Sequence, residues 1–154
     1  MEILFIQSIF TPDGKLAYIT NNVDGTVTVI DVNTHIVIVT IQIGSSPNIV
    51  AFTPDGKLAY VTNMGLVGQL DNTVSVIDVK THSVIATIQV GSGPNVVAFT
   101  PDGKYAYVMN MGEFGQLDNS VSIIDVKIYS VIANVQVGDG PFVIALHLTE
   151  NSPM

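Results

Sequence analysis

The side chains able to do chemistry in this 154-residue chain are few and repetitive. It carries 13 carboxylates, five lysines and three histidines, with no cysteine and no arginine. Carboxylates in loops can cap a turn, hold a hard cation through oxygen, or meet a basic partner. Without a thiol there is no disulfide frame, no thiolate nucleophile and no cysteine-based metal centre. Asp31, Asp78 and Asp125 each close the same short apolar run, Val-Ile-Asp or Ile-Ile-Asp. Such repetition points to turn capping rather than to catalysis, which needs one constellation and not three copies. His35 and His82 stand at matching positions four residues further on, with Tyr129 third, and read as surface side chains; His147 reads as structural. Ser92 lies in Gly-Ser-Gly, but no Gly-x-Ser-x-Gly elbow is present. Neither is a His-Glu-x-x-His pair, a phosphate loop or a dinucleotide fingerprint.

Two stretches stand out as candidate binding loops. Residues 64–72 and 111–119 share Met-Gly-x-x-Gly-Gln-Leu-Asp-Asn. Loops held by a rigid scaffold commonly carry binding. Their apolar members, Leu66, Val67, Leu70, Phe114 and Leu117, either dock a partner or pack the loops. Asp71 and Asp118 with backbone carbonyls form a conceivable Ca²⁺ site, although nothing matches an EF-hand loop. No cofactor is otherwise indicated.

The elements that must position these loops follow from a repeat. Thr-Pro-Asp-Gly-Lys begins at Thr11, Thr53 and Thr100. Pro12 and Pro54 are 42 residues apart, Pro54 and Pro101 are 47 apart, and the five-residue difference falls in the shared loop. A period in this range means a solenoid, a propeller or an array. Each unit divides into short runs rich in Val, Ile, Thr and Tyr, bounded by Gly, Pro, Asn and Asp, and these read as strands. In the second unit, strand A is 49–53, B is 58–63, C is 73–78 and D is 84–90. The Pro-Asp-Gly turn joins A to B, because proline presets φ and glycine accepts a positive φ. A four-stranded antiparallel meander repeated at this period is a propeller blade. The fold class is therefore all-β, with about three blades and one extra inner strand in a single repeat domain spanning 1–154. Blade 1 covers about 6–43, blade 2 about 48–90 and blade 3 about 95–137. The extra strand covers about 142–147.

In such a meander the B–C and D–A loops share one end and the A–B and C–D turns share the other. All five lysines fall at the second end, beside six aspartates. The first end carries Asp24, Asp71, Glu113, Asp118 and Asp139 and no basic residue. With Asn72, Asn119 and Phe114, these define the expected partner or ligand face, suited to a protein or cationic ligand. Tyr18, Tyr60 and Tyr107 sit mid-strand and are expected in the core.

Tyr60-Val61-Thr62-Asn63 resembles the signature of the YVTN β-propeller repeat family, with Tyr18-Ile19-Thr20-Asn21 and Tyr107-Val108-Met109-Asn110 as variants. The Pro-Asp-Gly turn and the Val-Ile-Asp strand end belong to the same resemblance, which covers nearly the whole chain. It implies a β-propeller, commonly of secreted or surface-layer proteins, and so an extracellular or cell-surface setting. The family motif carries no catalytic residue. Family propellers usually have more blades, often seven, and three are too few to close a ring.

Composition narrows the partners. The net charge of −8 and the absence of arginine argue against nucleic acid, which is bound by neutralising phosphates. No apolar run reaches the roughly 18 residues of a membrane span, so membrane insertion is not expected. The N-terminal residues lack the basic region of a signal peptide. Yet the mean hydropathy is +0.48, so much apolar surface must be packed. An isolated wedge of three blades would expose the outer faces of its first and last blades. A homodimer would close a six-blade ring. The strand containing Phe142, Val143, Ile144, Ala145 and Leu146 would then enter the partner's first blade and replace or supplement its weak 6–10 strand. The leading functional expectation is a non-enzymatic scaffold that binds a partner at the acidic loop end. A metal-assisted lyase or lactonase and a purely structural cell-surface repeat are the alternatives. The channel-side A strands are nearly all apolar, which disfavours catalysis.

Overall fold

A computed structural model describes residues 9–113 and 115–145. Eleven strands occupy these residues, and none is interrupted by a helix. Strands β1 (Leu16–Asn21), β2 (Thr26–Asp31) and β3 (Val37–Gln42) form the first antiparallel sheet. Strands β4 (Pro47–Phe52), β5 (Leu58–Asn63), β6 (Thr73–Asp78) and β7 (Ser83–Gln89) form the second. Strands β8 (Pro94–Phe99), β9 (Tyr105–Asn110), β10 (Ser120–Asp125) and β11 (Ser130–Gln136) form the third. Each sheet is a meander, so sequence order and spatial order coincide. Strands B and C of the second unit have the bounds read from sequence; strands A and D each begin earlier, at Pro47 and Ser83.

Blades 2 and 3 have full innermost strands, β4 and β8; of the strand expected at 6–10, Ile6, Gln7 and Ser8 lie outside the described residues. Blade 1 has no full innermost strand among the described residues. Its place is held by a single bridge, Phe10 to Ala17, and by the Tyr18 N–H donating to the Ile9 carbonyl at 2.8 Å. The extra strand predicted at about 142–147 joins none of the three sheets through Phe142, Val143, Ile144 or Ala145. Leu146 and His147 lie outside the described residues.

The blades stack face to face, because alternation along each strand makes both faces of the middle sheet apolar. Tyr18, Val27, Val29 and Ile41 of blade 1 pack on Val50, Ala59, Val61 and Ile77 of blade 2. The opposite face of blade 2 repeats the first set with Tyr60, Val74, Val76 and Ile88. These pack on Val97, Ala106, Val108 and Ile124 of blade 3. Tyr18 meets the Phe52 ring edge-on at 5.0 Å, and Tyr60 meets Phe99 at 4.9 Å. The two seams are thus copies of each other. The outermost strands β3, β7 and β11 face solvent along most of their length.

Candidate functional site

The turns at the lysine end are closed by their own side chains. Thr11 Oγ1 donates to Asp13 Oδ1 at 2.6 Å, and the same carboxylate accepts the Lys15 N–H at 3.0 Å. Thr53 with Asp55 and Thr100 with Asp102 repeat this pattern. The C–D turns work alike: Asp31 accepts the N–H groups of Asn33 and Thr34 and the Thr34 hydroxyl. Asp78 accepts the Thr81 N–H and hydroxyl, and Asp125 accepts the Lys127 N–H. Hydrogen bonds to the charged form hold five of these carboxyls below the usual aspartate range. The chief donor is the hydroxyl of Thr11 for Asp13 and of Thr100 for Asp102. It is the N–H of Lys57 for Asp55, of Thr34 for Asp31 and of Thr81 for Asp78. These aspartates are turn caps. The A–B and C–D turns do share one end, since the Val32, Val79 and Val126 N–H groups donate to the Lys15, Lys57 and Lys104 carbonyls.

At the opposite end lie the candidate binding residues. The first long loop folds into a two-residue hairpin, and the second repeats its closing bridge. Leu66 and Gln69 exchange backbone hydrogen bonds at 3.0 and 2.8 Å, as do Glu113 and Gln116. Gly68 and Gly115 take the positive φ (81° and 94°) that so tight a reversal requires. Each loop is bound to the connection ahead of its blade. Gly65 N–H donates to the Ser45 carbonyl at 3.0 Å, and Gly112 N–H to the Ser92 carbonyl at 2.8 Å. Asp71 Oδ2 accepts the Ser45 N–H at 2.5 Å, and Asp118 Oδ2 accepts the Ser92 N–H at 2.5 Å. The adjoining asparagine reaches the other way. Asn72 Oδ1 accepts the Gly93 N–H at 3.0 Å, and Asn119 Oδ1 accepts the Gly140 N–H at 3.1 Å. The shared Asp-Asn pair is therefore a two-handed staple: the aspartate grips the connection entering the blade and the asparagine the connection leaving it.

The remaining expected residues divide. Glu113 accepts the Gly68 N–H through Oε1 and so ties the second long loop to the first. Asp139 Oδ1 accepts from Asn119 Nδ2 at 2.9 Å. Asp24 is exposed in the short loop of blade 1, and no donor among the described residues reaches its carboxylate. Phe114 lies outside the described residues. Four of the five carboxylates thus receive a hydrogen bond within the chain. Leu66, Val67 and Leu117 stand exposed on the hairpins, Val67 almost completely at 91%. Among the described residues no three His, Asp or Glu side chains converge as a metal-ligand set.

Sequence reasoning missed two polar devices. The first lies beneath the staples: Asn63 Nδ2 donates to Thr73 and Ser75, and Asn110 Nδ2 to Ser120 and Ser122, at 2.9 to 3.0 Å. Both asparagines are wholly buried, and the Oδ1 of each has no hydrogen-bond partner. The second bridges a seam. Tyr18 Oη lies 3.3 Å from His82 Nδ1, so the first blade's core tyrosine ends on the second blade's C–D turn. Burial, followed by the charge of Asp78, pushes the Tyr18 phenol up to about 12. The signal was present as a tyrosine and a histidine at fixed repeat positions, but nothing in one repeat says that they meet across two. On the channel side, a concavity of about 460 Å³ is walled by Phe10, Val50, Phe52, Val97 and Phe99, with no titratable group.

No family model matches the chain, and no curated protein matches it. Solved structures do. The hydrazine synthase of Kuenenia stuttgartiensis aligns over 84% of this chain at TM-score 0.77 and 31% identity. The dihydro-heme d1 dehydrogenase NirN in complex with DHE aligns over 82% at TM-score 0.68 and 21% identity. Both are β-propeller proteins. This chain is a run of β-propeller blades. It spans 35% of the first neighbour and 25% of the second, so the likeness is to part of each propeller protein.

Proposed function

We propose that this chain is a non-enzymatic propeller module of the YVTN type. Two copies close a six-blade ring and offer its acidic loop end to a basic protein partner. The observation that carries this reading is the stapling of that end. Asp71, Asn72, Asp118 and Asn119 bind backbone N–H groups of their own chain, so the loops form a rigid platform rather than a reactive pocket. A preorganised surface binds without first ordering itself. Its outer side carries carboxylates of one sign beside exposed Leu66, Val67 and Leu117, which suits a partner with lysines around an apolar anchor. In the ring, the segment of Phe142, Val143, Ile144, Ala145 and Leu146 lies along the inner edge of the partner's β1, beside the Phe10–Ala17 bridge.

Light scattering tests the ring, with an expected mass twice that of the 16.4 kDa chain. An amphipathic peptide of alternating Lys and Leu tests the face. Its binding should weaken as salt rises, because exposed charges separated by more than about 8 Å are screened at 0.15 M. It should weaken further in the Asp24→Asn, Glu113→Gln double variant. A monomer would overturn the ring, and salt-independent binding indifferent to that variant would overturn the acidic face.

The 31% identity to part of a hydrazine synthase favours a second reading, in which the blades belong to a larger catalytic assembly. Stoichiometric metal retained by the purified chain through dialysis would support it, with Ca²⁺ at Asp71 and Asp118 the first ion to assay.

A further inference from the structure

The two interior seams show what each blade face is built to meet, and the two end faces repeat the same residues without a partner blade among the described residues. The position of Tyr18 and Tyr60, both wholly buried, is taken in blade 3 by Tyr107, which is only half-buried. The positions of Val74, Val76 and Ile88 are taken by Val121 and Ile123, both half-buried, and by Val135, which is 46% exposed. On the other end face, the positions of Val61 and Ile77, both wholly buried, are taken in blade 1 by Ile19 and Ile30, both half-buried. One face is thus the first half of a seam, and the other is the second half.

The polar contact divides in the same way. Tyr18 reaches forward to His82 in the next blade's C–D turn. His35 occupies the same turn position in blade 1, with the same left-handed backbone, φ 59° against 54° for His82. No hydroxyl among the described residues reaches the His35 ring. Nor does any described group bond the Tyr107 hydroxyl, which belongs to the strand position of Tyr18. The second seam differs in its polar contact, because Tyr129 stands where a histidine would and the Tyr60 hydroxyl is buried without a partner. Each end of the chain therefore carries one half of the tyrosine–histidine contact that the first seam completes.

We infer that a second copy of this chain covers both end faces, blade 3 of one against blade 1 of the other. Tyr107 Oη of each copy then bonds to the His35 ring of its partner at two equivalent seams. This inference rests on the ring proposed above and specifies its register. Stacking like face on like face would set Tyr107 against Tyr107 and leave both histidines unmatched. The two-fold ring instead satisfies every copy with the interface already present inside it.

The absence of cysteine makes the test direct. Single Tyr107→Cys and His35→Cys variants of the full 154-residue chain are treated with a short bismaleimide, separately and mixed. The mixture is expected to yield covalent dimer and each variant alone to yield none. In the otherwise natural chain, Tyr107→Phe should weaken dimerisation by about 25-fold, since two seams each lose a hydrogen bond worth about fivefold. His35→Ala should do the same, and the double variant should be no worse than either single one. A dimer that cross-links within a single variant, or whose dissociation constant ignores Tyr107→Phe, overturns this register and leaves the ring standing. A monomeric natural chain, its end faces met by further blades or by another protein, overturns both.

Discussion

Tyr18 and Tyr60 form an internal experiment, because the same side chain fills the same position in two seams and differs in one respect. Each ring is wholly buried and packs edge-on against a phenylalanine, at 5.0 Å from Phe52 and 4.9 Å from Phe99. Replacing either tyrosine by phenylalanine keeps the ring, its contacts and nearly all its apolar area. Only the hydroxyl is lost. At Tyr18 that hydroxyl lies 3.3 Å from His82 Nδ1, a long bond, so its loss should cost about 1 kcal/mol or somewhat less. At Tyr60 the hydroxyl is buried with no partner, and a buried unsatisfied polar group costs about 1–3 kcal/mol. Tyr60→Phe removes that cost and should leave the protein as stable as before, or more stable by about 1 kcal/mol. The expected gap between the two variants is about 1–2 kcal/mol, measurable as a shift in urea midpoint at unchanged slope. Both variants are compared at one protein concentration, because any association of the native state adds to apparent stability. If Tyr60→Phe loses as much stability as Tyr18→Phe, the hydroxyls are equivalent and the account of the two seams fails.

Two further outcomes follow from the same geometry. Gly91→Ala should cost about 2 kcal/mol in chemical unfolding, because its Cβ would press into the buried amide of Asn110. Gly138→Ala, at the matching position with nothing within 4 Å, should stay within about 0.5 kcal/mol of the natural chain. Stability measured against pH should fall at both extremes. Asp13, Asp31, Asp55, Asp78 and Asp102 have folded-state pKa values below the unfolded ones. Their contribution is full above about pH 4 and is lost as pH falls through the lower folded values. Tyr18 has the opposite sign: stability is retained below about pH 10 and declines up to about pH 12, where the folded phenol ionises.

What could be read from the residues was whatever repeats within one unit. The Pro-Asp-Gly turns, the runs 58–63 and 73–78, and the recurring Asp31, Asp78 and Asp125 are local, because turn propensity and strand alternation act over a few neighbours. They appear three times in phase, which makes the blade legible without any long-range contact. Charge also divided legibly, since a meander sends alternate loops to opposite ends and the lysines fall only in the turns of one.

Tertiary structure decided how those units use their polar groups. Asp71 looked like a loop carboxylate open to a ligand, yet it holds the N–H of Ser45, 26 residues upstream. Asn72 looked like a turn residue, yet it holds Gly93, 21 residues downstream. Neither partner is marked by residue type, because a backbone N–H is available at nearly every position and only packing selects one. Val143, Ile144 and Ala145 have the composition of β8, yet among the described residues only β8 lies in a ladder, paired with β9. Composition sets which segments can be strands, turns and core. Which of them find a partner, and which buried hydroxyl goes without one, depends on faces that meet only when blades stack.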